Sequence, residues 1–199
     1  AVGVANIDIV YATEKGILVI NTPGKNTNSA AELTIALLLA AIRKITPAHQ
    51  SMSNLQWNRH HFNGIELLGK TIGIIGLGNV GHRVAKFANA FDMKVLAYDP
   101  YITDKIFEKN KAIPTDFETL LSESDVITVH TPKNTETIHM IDAKAIAQMK
   151  DGVILLNAAR GGIIEEKALL DGLQSGKVAY AGIDTWEVEP PIENRFREL

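Results

Sequence analysis

Short aliphatic runs alternate along this chain with segments in which apolar residues recur every three to four positions. The runs at 17–20, 72–75, 94–98, 126–129, 153–156 and 178–183 read as strands. Turn-forming residues follow several of them: Asn21-Thr22-Pro23-Gly24, Asp99-Pro100 and His130-Thr131-Pro132. Between the strands lie helical patterns. Ser29-Ala30-Ala31-Glu32 has the form of a capping box, and it predicts a helix that stays apolar nearly all round as far as Ile42, with Pro47 kinking or ending it. Such a helix is buried within its own domain or covered by a partner subunit. Val80, Val84, Phe87, Ala88 and Phe91 mark one face of a second helix, and 117–122 reads as a third. Asp142 caps a fourth that runs to Met149, and 165–174 forms a fifth with Gly176 at its stop. Strands alternating with helices predict an α/β fold with a doubly wound, Rossmann-type parallel sheet. Ligands of such sheets bind beyond the carboxyl ends of the strands, where Gly76, Asp99, His130, Asn157 and Asp184 stand.

Composition narrows the chemistry. The 199 residues carry a net charge of −3 and no cysteine, with 46% hydrophobic and 22% charged residues, which excludes a mainly disordered chain and any thiol or disulfide chemistry. The slight acidity leaves no general basic surface for nucleic acid. The longest apolar stretch, 33–42, is half of the roughly 20 residues a membrane span needs. The first residues lack the basic start of a signal peptide, so a cytoplasmic location is expected. The chain does not begin with Met, which suggests a start inside a longer natural protein.

Gly76-Leu77-Gly78-Asn79-Val80-Gly81 is a G-x-G-x-x-G loop placed between a strand and an amphipathic helix, with Asp99 ending the next strand. In that setting Gly76 allows the tight turn, Gly78 lets a pyrophosphate approach the backbone, and Gly81 lets helix and strand pack closely. The helix start offers free N–H groups to phosphate. The Asp99 carboxylate suits a ribose hydroxyl and repels a 2′-phosphate, which predicts NAD rather than NADP. A glycine turn without a ligand, beside a solvated Asp99, is the plainer alternative.

These residues belong to a longer series. Gly3-Val4-Ala5-Asn6-Ile7-Asp8, Asn21-Thr22-Pro23, the glycine loop with Asp99, Val129-His130-Thr131-Pro132, Asn157-Ala158-Ala159-Arg160-Gly161-Gly162 and Asp184-Thr185-Trp186-Glu187-Val188-Glu189-Pro190 follow one another in order. With this series the chain resembles the D-isomer-specific 2-hydroxyacid dehydrogenases, and within them the branch that oxidises 3-phosphoglycerate for serine biosynthesis. The resemblance implies a hydride transfer between a D-2-hydroxy acid and NAD. It implies that residues 1–22 are the tail and hinge of a substrate-binding domain and that 23–199 form the NAD-binding domain. It marks Arg160 and Glu189 as catalytic: Arg160 for the substrate carboxylate and carbonyl, Glu189 as partner of a catalytic histidine. That histidine lies downstream in the family, and none of the six here matches it, so the chain reads as a fragment with poor turnover of its own.

The resemblance also assigns NAD contacts to Gly76, Gly78, Asn79, Val80, Gly81, Asp99, Pro100, His130, Thr131, Pro132, Thr137, Ala158, Arg160 and Asp184. It makes Asn26, with Arg160, a substrate contact. For Asn26 and Thr137 a turn or capping role is an equal alternative. No metal is implied. Ala5 and Asp92 depart from the family pattern, the first at a hinge contact and the second at a helix end where glycine is usual. The helix over 29–46 and the loop near Trp57 imply a homodimer. Two other readings stay open: an NAD-sensing, corepressor-like module without catalysis, and a glycerate, glyoxylate or lactate dehydrogenase of the same family.

Overall fold

Apolar runs without polar alternation need cover on both faces, and five of the six predicted strands obtain it within one sheet. The computed structural model describes residues 3–4, 7–191 and 196, so the departure noted at Ala5 lies outside the described residues. The sheet is parallel throughout. Its strands are β1 (Thr71–Ile75), β2 (Lys94–Tyr98), β3 (Ile113–Pro114), β4 (Val126–Val129), β5 (Val153–Asn157) and β6 (Val178–Ile183), in the order β3-β2-β1-β4-β5-β6. The chain reverses its direction of winding between β1 and β4, which opens a crevice at their carboxyl ends. Register keeps those ends level, for Ile75 pairs with both Tyr98 and Val129, Val129 with Asn157, and Asn157 with Ile183.

Side chains alternate across the sheet into two cores. Ile72, Ile74, Ile154 and Leu156 pack beneath α2 (Thr27–Ile42) and α4 (Gly81–Ala90). Ile75, Ile127, Val129, Val153 and Leu155 pack on the other face with buried residues of α6 (Phe117–Glu123), α7 (Ala143–Gln148) and α8 (Glu166–Ser175). Asp116 caps α6 by accepting from Thr119 N at 2.7 Å, and Asp142 caps α7 by accepting from Ala145 N at 2.8 Å. Gly176 ends α8 at φ +79°, and Asp92 takes φ +55° after α4, the left-handed turn predicted for it.

Three expectations change. The run 17–20 pairs with no strand among the described residues, and Ile17, Leu18 and Ile20 are exposed, because no neighbouring strand completes it. The helix α2 begins at Thr27 rather than at a Ser29 cap, with Asn26 at the cap position and no side-chain cap bond. Pro47 does not end it. The break falls at Lys44, which is left-handed (φ 51°), and Pro47 sits in the first turn of α3 (Ile45–Ser53), where its missing N–H removes no helical bond. Two short helices escape the sequence pattern, α1 (Ile9–Glu14) and α5 (Asp104–Lys109).

Candidate active site

The level carboxyl ends of β1, β2 and β4 border a cleft of about 430 Å³. Eight predicted contacts line it: Gly76, Gly78, Asp99, Pro100, His130, Thr131, Pro132 and Thr137. The three glycines differ in what surrounds them. Gly76 stands at φ +91°, and a Cβ there would lie 3.0 Å from the His130 backbone. At Gly81 a Cβ would lie 2.1 Å from the Gly76 carbonyl oxygen, so only glycine lets α4 leave β1 at this distance. A Cβ at Gly78 would meet nothing within 4 Å. The protein itself therefore leaves open the place where the loop's N–H groups would face a phosphate. Val80 occupies the cap position of α4, again without a side-chain cap bond.

Asp99 ties the loop to β2. One carboxylate oxygen accepts from Leu77 N at 2.9 Å and the other from Tyr101 N at 3.0 Å, leaving each a further lone pair toward the cleft. No Lys or Arg lines the cleft to offset that charge. Across the mouth, the Tyr101 hydroxyl donates to the Glu136 carboxylate, which raises the Tyr101 pKa. Thr137 is buried and does what a turn threonine does: its hydroxyl donates to Pro132 O at 2.6 Å. It also lines the cleft. Burial pushes the His130 imidazole down from 6.5 to about 4, so it is neutral near pH 7, and Nε2 lies 2.9 Å from the hydroxyl of buried Thr128. Beside it the Thr131 hydroxyl oxygen is buried without any hydrogen-bond partner.

The remaining predicted residues gather at the ends of β5 and β6. Buried Asn157 clamps the next loop, accepting from Ala159 N at 3.0 Å and donating to Arg160 O at 2.9 Å. Ala158 lies within that loop, and Arg160 is exposed, its guanidinium donating to Ala159 O at 2.6 Å and standing 3.1 Å from where a Cβ of Gly3 would be. Asp184 is set by its N–H donating to Asn157 O at 2.9 Å. A Cβ on Gly161 would overlap Trp186 O at 1.7 Å, so the Arg160 loop and the 184–190 loop lie back to back. Glu189 is exposed and accepts from Trp186 N at 3.0 Å. Glu187 pins the same loop to α8 by accepting from Glu166 N at 3.0 Å, and it faces His139 Nε2 at 3.2 Å. Asn26 is exposed at the start of α2.

Sequence reasoning missed Tyr98, Tyr101, Asn134, Glu136 and Met140 as cleft residues. Tyr101 sits two positions beyond Asp99, and that spacing was the available signal. His139 meets the Glu189-bearing loop through Glu187, with no local motif to announce it.

Known proteins with these features share a lineage. The model of the D-isomer specific 2-hydroxyacid dehydrogenase NAD binding domain matches residues 35–199. The chain belongs to this family. D-3-phosphoglycerate dehydrogenase of Archaeoglobus fulgidus is 54% identical over 190 residues, covering 96% of this chain and 36% of that protein. Hydroxypyruvate reductase of Thermotoga maritima is 48% identical, covering all of this chain and 64% of that protein. The crystal structure of D-lactate dehydrogenase from Aquifex aeolicus complexed with NAD and lactic acid superposes with a TM-score of 0.85 at 38% identity, covering 94% of this chain and 56% of that one. The chain thus spans 36–38% of the length of the phosphoglycerate dehydrogenases it matches.

NAD is the cofactor of this domain family, and the residues present suit it. Open space at Gly78, an unpaired buried hydroxyl at Thr131 and two cleft carboxylates without a compensating cation form a cradle for a nucleotide lacking a 2′-phosphate. Among the described residues no group of His, Asp or Glu is placed to hold a metal ion, and no helix is long and apolar enough to cross a membrane.

Proposed function

We propose that this chain is the cofactor-binding part of an NAD-dependent dehydrogenase that moves a hydride between a D-2-hydroxy acid and nicotinamide, with 3-phosphoglycerate as the acid. The observation that carries the reading is the glycine loop, closed by protein at Gly76 and Gly81 and open at Gly78, beside the Asp99 carboxylate. NAD supplies the hydride acceptor when bound. Asp99 accepts from the ribose hydroxyls and disfavours a 2′-phosphate. Pro100, Pro132 and Thr137 wall the adenosine side, His130 stays neutral beneath it, and the N–H groups of Asn79 and Val80 meet the pyrophosphate. Ala158 and Asp184 flank the nicotinamide.

Arg160 grips the substrate carboxylate as a fork and polarises the C2 oxygen, with Asn26 a further substrate contact. Glu189 orients and charges an imidazole that takes the C2 proton. Residues 1–22 serve as hinge and tail of a substrate domain. Exposed Ile45, Met52, Leu55 and Trp57 follow α2, and they support a homodimer through α2, α3 and the Trp57 loop. Sedimentation at micromolar concentration showing only the 21.7 kDa species would remove that part.

The deciding experiment is calorimetric titration with NAD, NADH and NADP, repeated on Asp99→Ala. NAD binding that weakens in the variant, with little NADP binding in the wild type, is the expected outcome. A folded sample that binds no nucleotide overturns the reading. The 48% identity to a hydroxypyruvate reductase favours one rival, the same chemistry on an unphosphorylated acid. Comparing kcat/KM for 3-phosphoglycerate and glycerate in the full-length protein separates the two.

A further inference from the structure

The loop that bears Glu189 closes on itself, since Glu189 accepts from Trp186 N at 3.0 Å. Glu187, two positions earlier, joins that loop to the rest of the protein. Its Oε1 accepts from Glu166 N at 3.0 Å, and its own N–H donates to Glu166 Oε1 at 2.6 Å. Each glutamate binds the other's backbone, so both the main chain and the side chain of Glu187 are fixed. Glu166 is the first residue of α8, and the helix's own cap residue, Glu165, makes no side-chain cap bond. Glu187 supplies the cap from 21 residues away, with its charge at the positive end of a 10-residue helix.

A second tie comes from the wall of the cofactor cleft. His139 Nε2 lies 3.2 Å from the same Glu187 Oε1. His139 takes a left-handed backbone (φ 52°), uncommon for a residue with a Cβ, and its N–H donates to Gly162 O at 2.7 Å. Thr137 and Met140, on either side of it in the chain, line the cleft. Lys133 and Glu187 meet at Gly162, where a Cβ would lie 2.9 Å from the lysine Nζ and 3.7 Å from the glutamate Cγ. That ammonium and the start of α8 offset the mutual repulsion of the two glutamates. The cleft wall, the Arg160 loop and the Glu189 loop thus converge on one carboxylate. An exposed pair such as His139 with Glu187 adds little to stability. It adds direction, which a carboxylate that orients a reacting imidazole needs.

We propose that Glu187 is a positioning residue: bracketed by Glu166 and steered by His139, it holds the Glu189 loop against the Arg160 loop in the geometry that catalysis uses. The proposal rests on the dehydrogenase reading, in which Glu189 partners the reacting imidazole. Glu187 acts through Glu189 and needs no contact with substrate or cofactor.

The test uses the full-length protein with the better of 3-phosphoglycerate and glycerate, below the melting temperature of each variant. In Glu187→Ala, kcat should fall about tenfold while the KM for NAD holds within about twofold. Glu187→Gln keeps an oxygen for Glu166 N and loses the charge, and it should recover most of kcat. His139→Gly suits the left-handed turn and removes the ring without straining the backbone. It should lower kcat severalfold on its own and no further in Glu187→Ala. Trp186 gives a readout independent of turnover. With Trp57→Phe it is the sole tryptophan, and its quenching by acrylamide should rise in Glu187→Ala and return in Glu187→Gln. An unchanged kcat in Glu187→Ala overturns the proposal, as does a KM for NAD that rises in step with the loss of kcat, or a Trp186 signal that does not move. If the wild-type protein oxidises neither acid, the dehydrogenase reading fails, while Trp186 quenching still decides whether Glu187 holds the loop.

Discussion

At the amino end of the sheet, Asp125 joins three strands. Its carboxylate accepts from Thr71 N at 2.8 Å and from Lys150 at 3.1 Å, while its backbone bonds to Thr71 and Ile154. The hollow there, about 160 Å³, is bordered by two matched pairs, Lys150 with Asp125 and Asp151 with Lys177, and by Glu66 and Lys70. At the carboxyl end of the same strands, the Thr131 hydroxyl and the Arg83 Nε are buried without partners, and space stands open over Gly78. One end of the strands thus has its Asp125 and Asp151 carboxylates paired, while the other holds buried groups without a protein partner. Folding stability explains the first end. A bound ligand would complete the second, since unpaired buried polar groups cost free energy.

The contrast breaks most sharply at two glycines three residues apart. Gly81→Ala puts a methyl 2.1 Å from the Gly76 carbonyl, and helix or strand must move. A loss of about 3 kcal/mol in urea unfolding is expected, at the upper range for overpacking. Gly78→Ala meets nothing, so stability should hold or rise by about 0.5 kcal/mol through the unfolded chain. Its cost should fall on NAD, with affinity down about tenfold, which amounts to about 1.4 kcal/mol of crowding. Equal stability losses in both variants would erase the division of labour between them.

Acid should undo the two ends in sequence. His130 has its pKa lowered from 6.5 to about 4 by burial. The unfolded chain therefore binds a proton that the folded one refuses, and stability present above pH 6.5 is lost as pH falls toward 4. The full interval corresponds to about 3 kcal/mol, and the partial exposure of His130 trims the expectation to about 2 kcal/mol. For Asp125, burial pushes the carboxyl up, but the Thr71 N–H and the Lys150 ammonium outweigh it and hold the pKa below 3.8. Its stabilisation is present above 3.8 and is lost only as pH falls through the lowered value. Urea midpoints from pH 7 to 3 should show the first loss in wild type and not in His130→Gln. A variant that keeps the slope between pH 6.5 and 4 would assign the loss elsewhere.

Asp125→Ala tests the closed end alone. It leaves the Thr71 N–H without its acceptor, and the exposed pair with Lys150 adds little, so a loss of about 1–2 kcal/mol is expected. NAD affinity should stay unchanged by calorimetry, because the substitution lies at the opposite end of the strands. A parallel fall in NAD affinity would mean that the two ends are coupled through the sheet.

How far these ends were legible in the sequence follows the range of each interaction. Five of the six strand runs, the Asp142 cap and the Gly176 stop depend on near neighbours and are found as read, and Asp92 ends α4 left-handed. The glycine loop and Asp99 have a fixed spacing within one βαβ unit, so their pattern is local too. The run 17–20 looked like its peers because strand propensity says nothing of whether a partner strand exists. β3 was too short, at Ile113–Pro114, to leave a pattern. The break at Lys44 uses neither Gly nor Pro. Glu136 meets Tyr101 from a loop 35 residues away, and Arg83 of α4 lines one hollow with Lys25 from the turn before α2. Such meetings depend on packing, which no spacing along the chain records.

The smallest expected effect is the most selective. Thr131→Val replaces the hydroxyl with a methyl of nearly the same size. Its oxygen is buried and unpaired, so the apo chain should gain up to about 1 kcal/mol of stability, the cost of an unsatisfied hydroxyl being removed. If that hydroxyl is held for the nucleotide, NAD binding should weaken severalfold, for about 1 kcal/mol per lost neutral hydrogen bond. The two changes have opposite signs, and thermal unfolding with and without NAD reads both on one sample. The apo midpoint should rise while the NAD-induced shift shrinks. A variant less stable without nucleotide would show that Thr131 is satisfied within the protein, and the carboxyl end would then lose one of its orphaned groups.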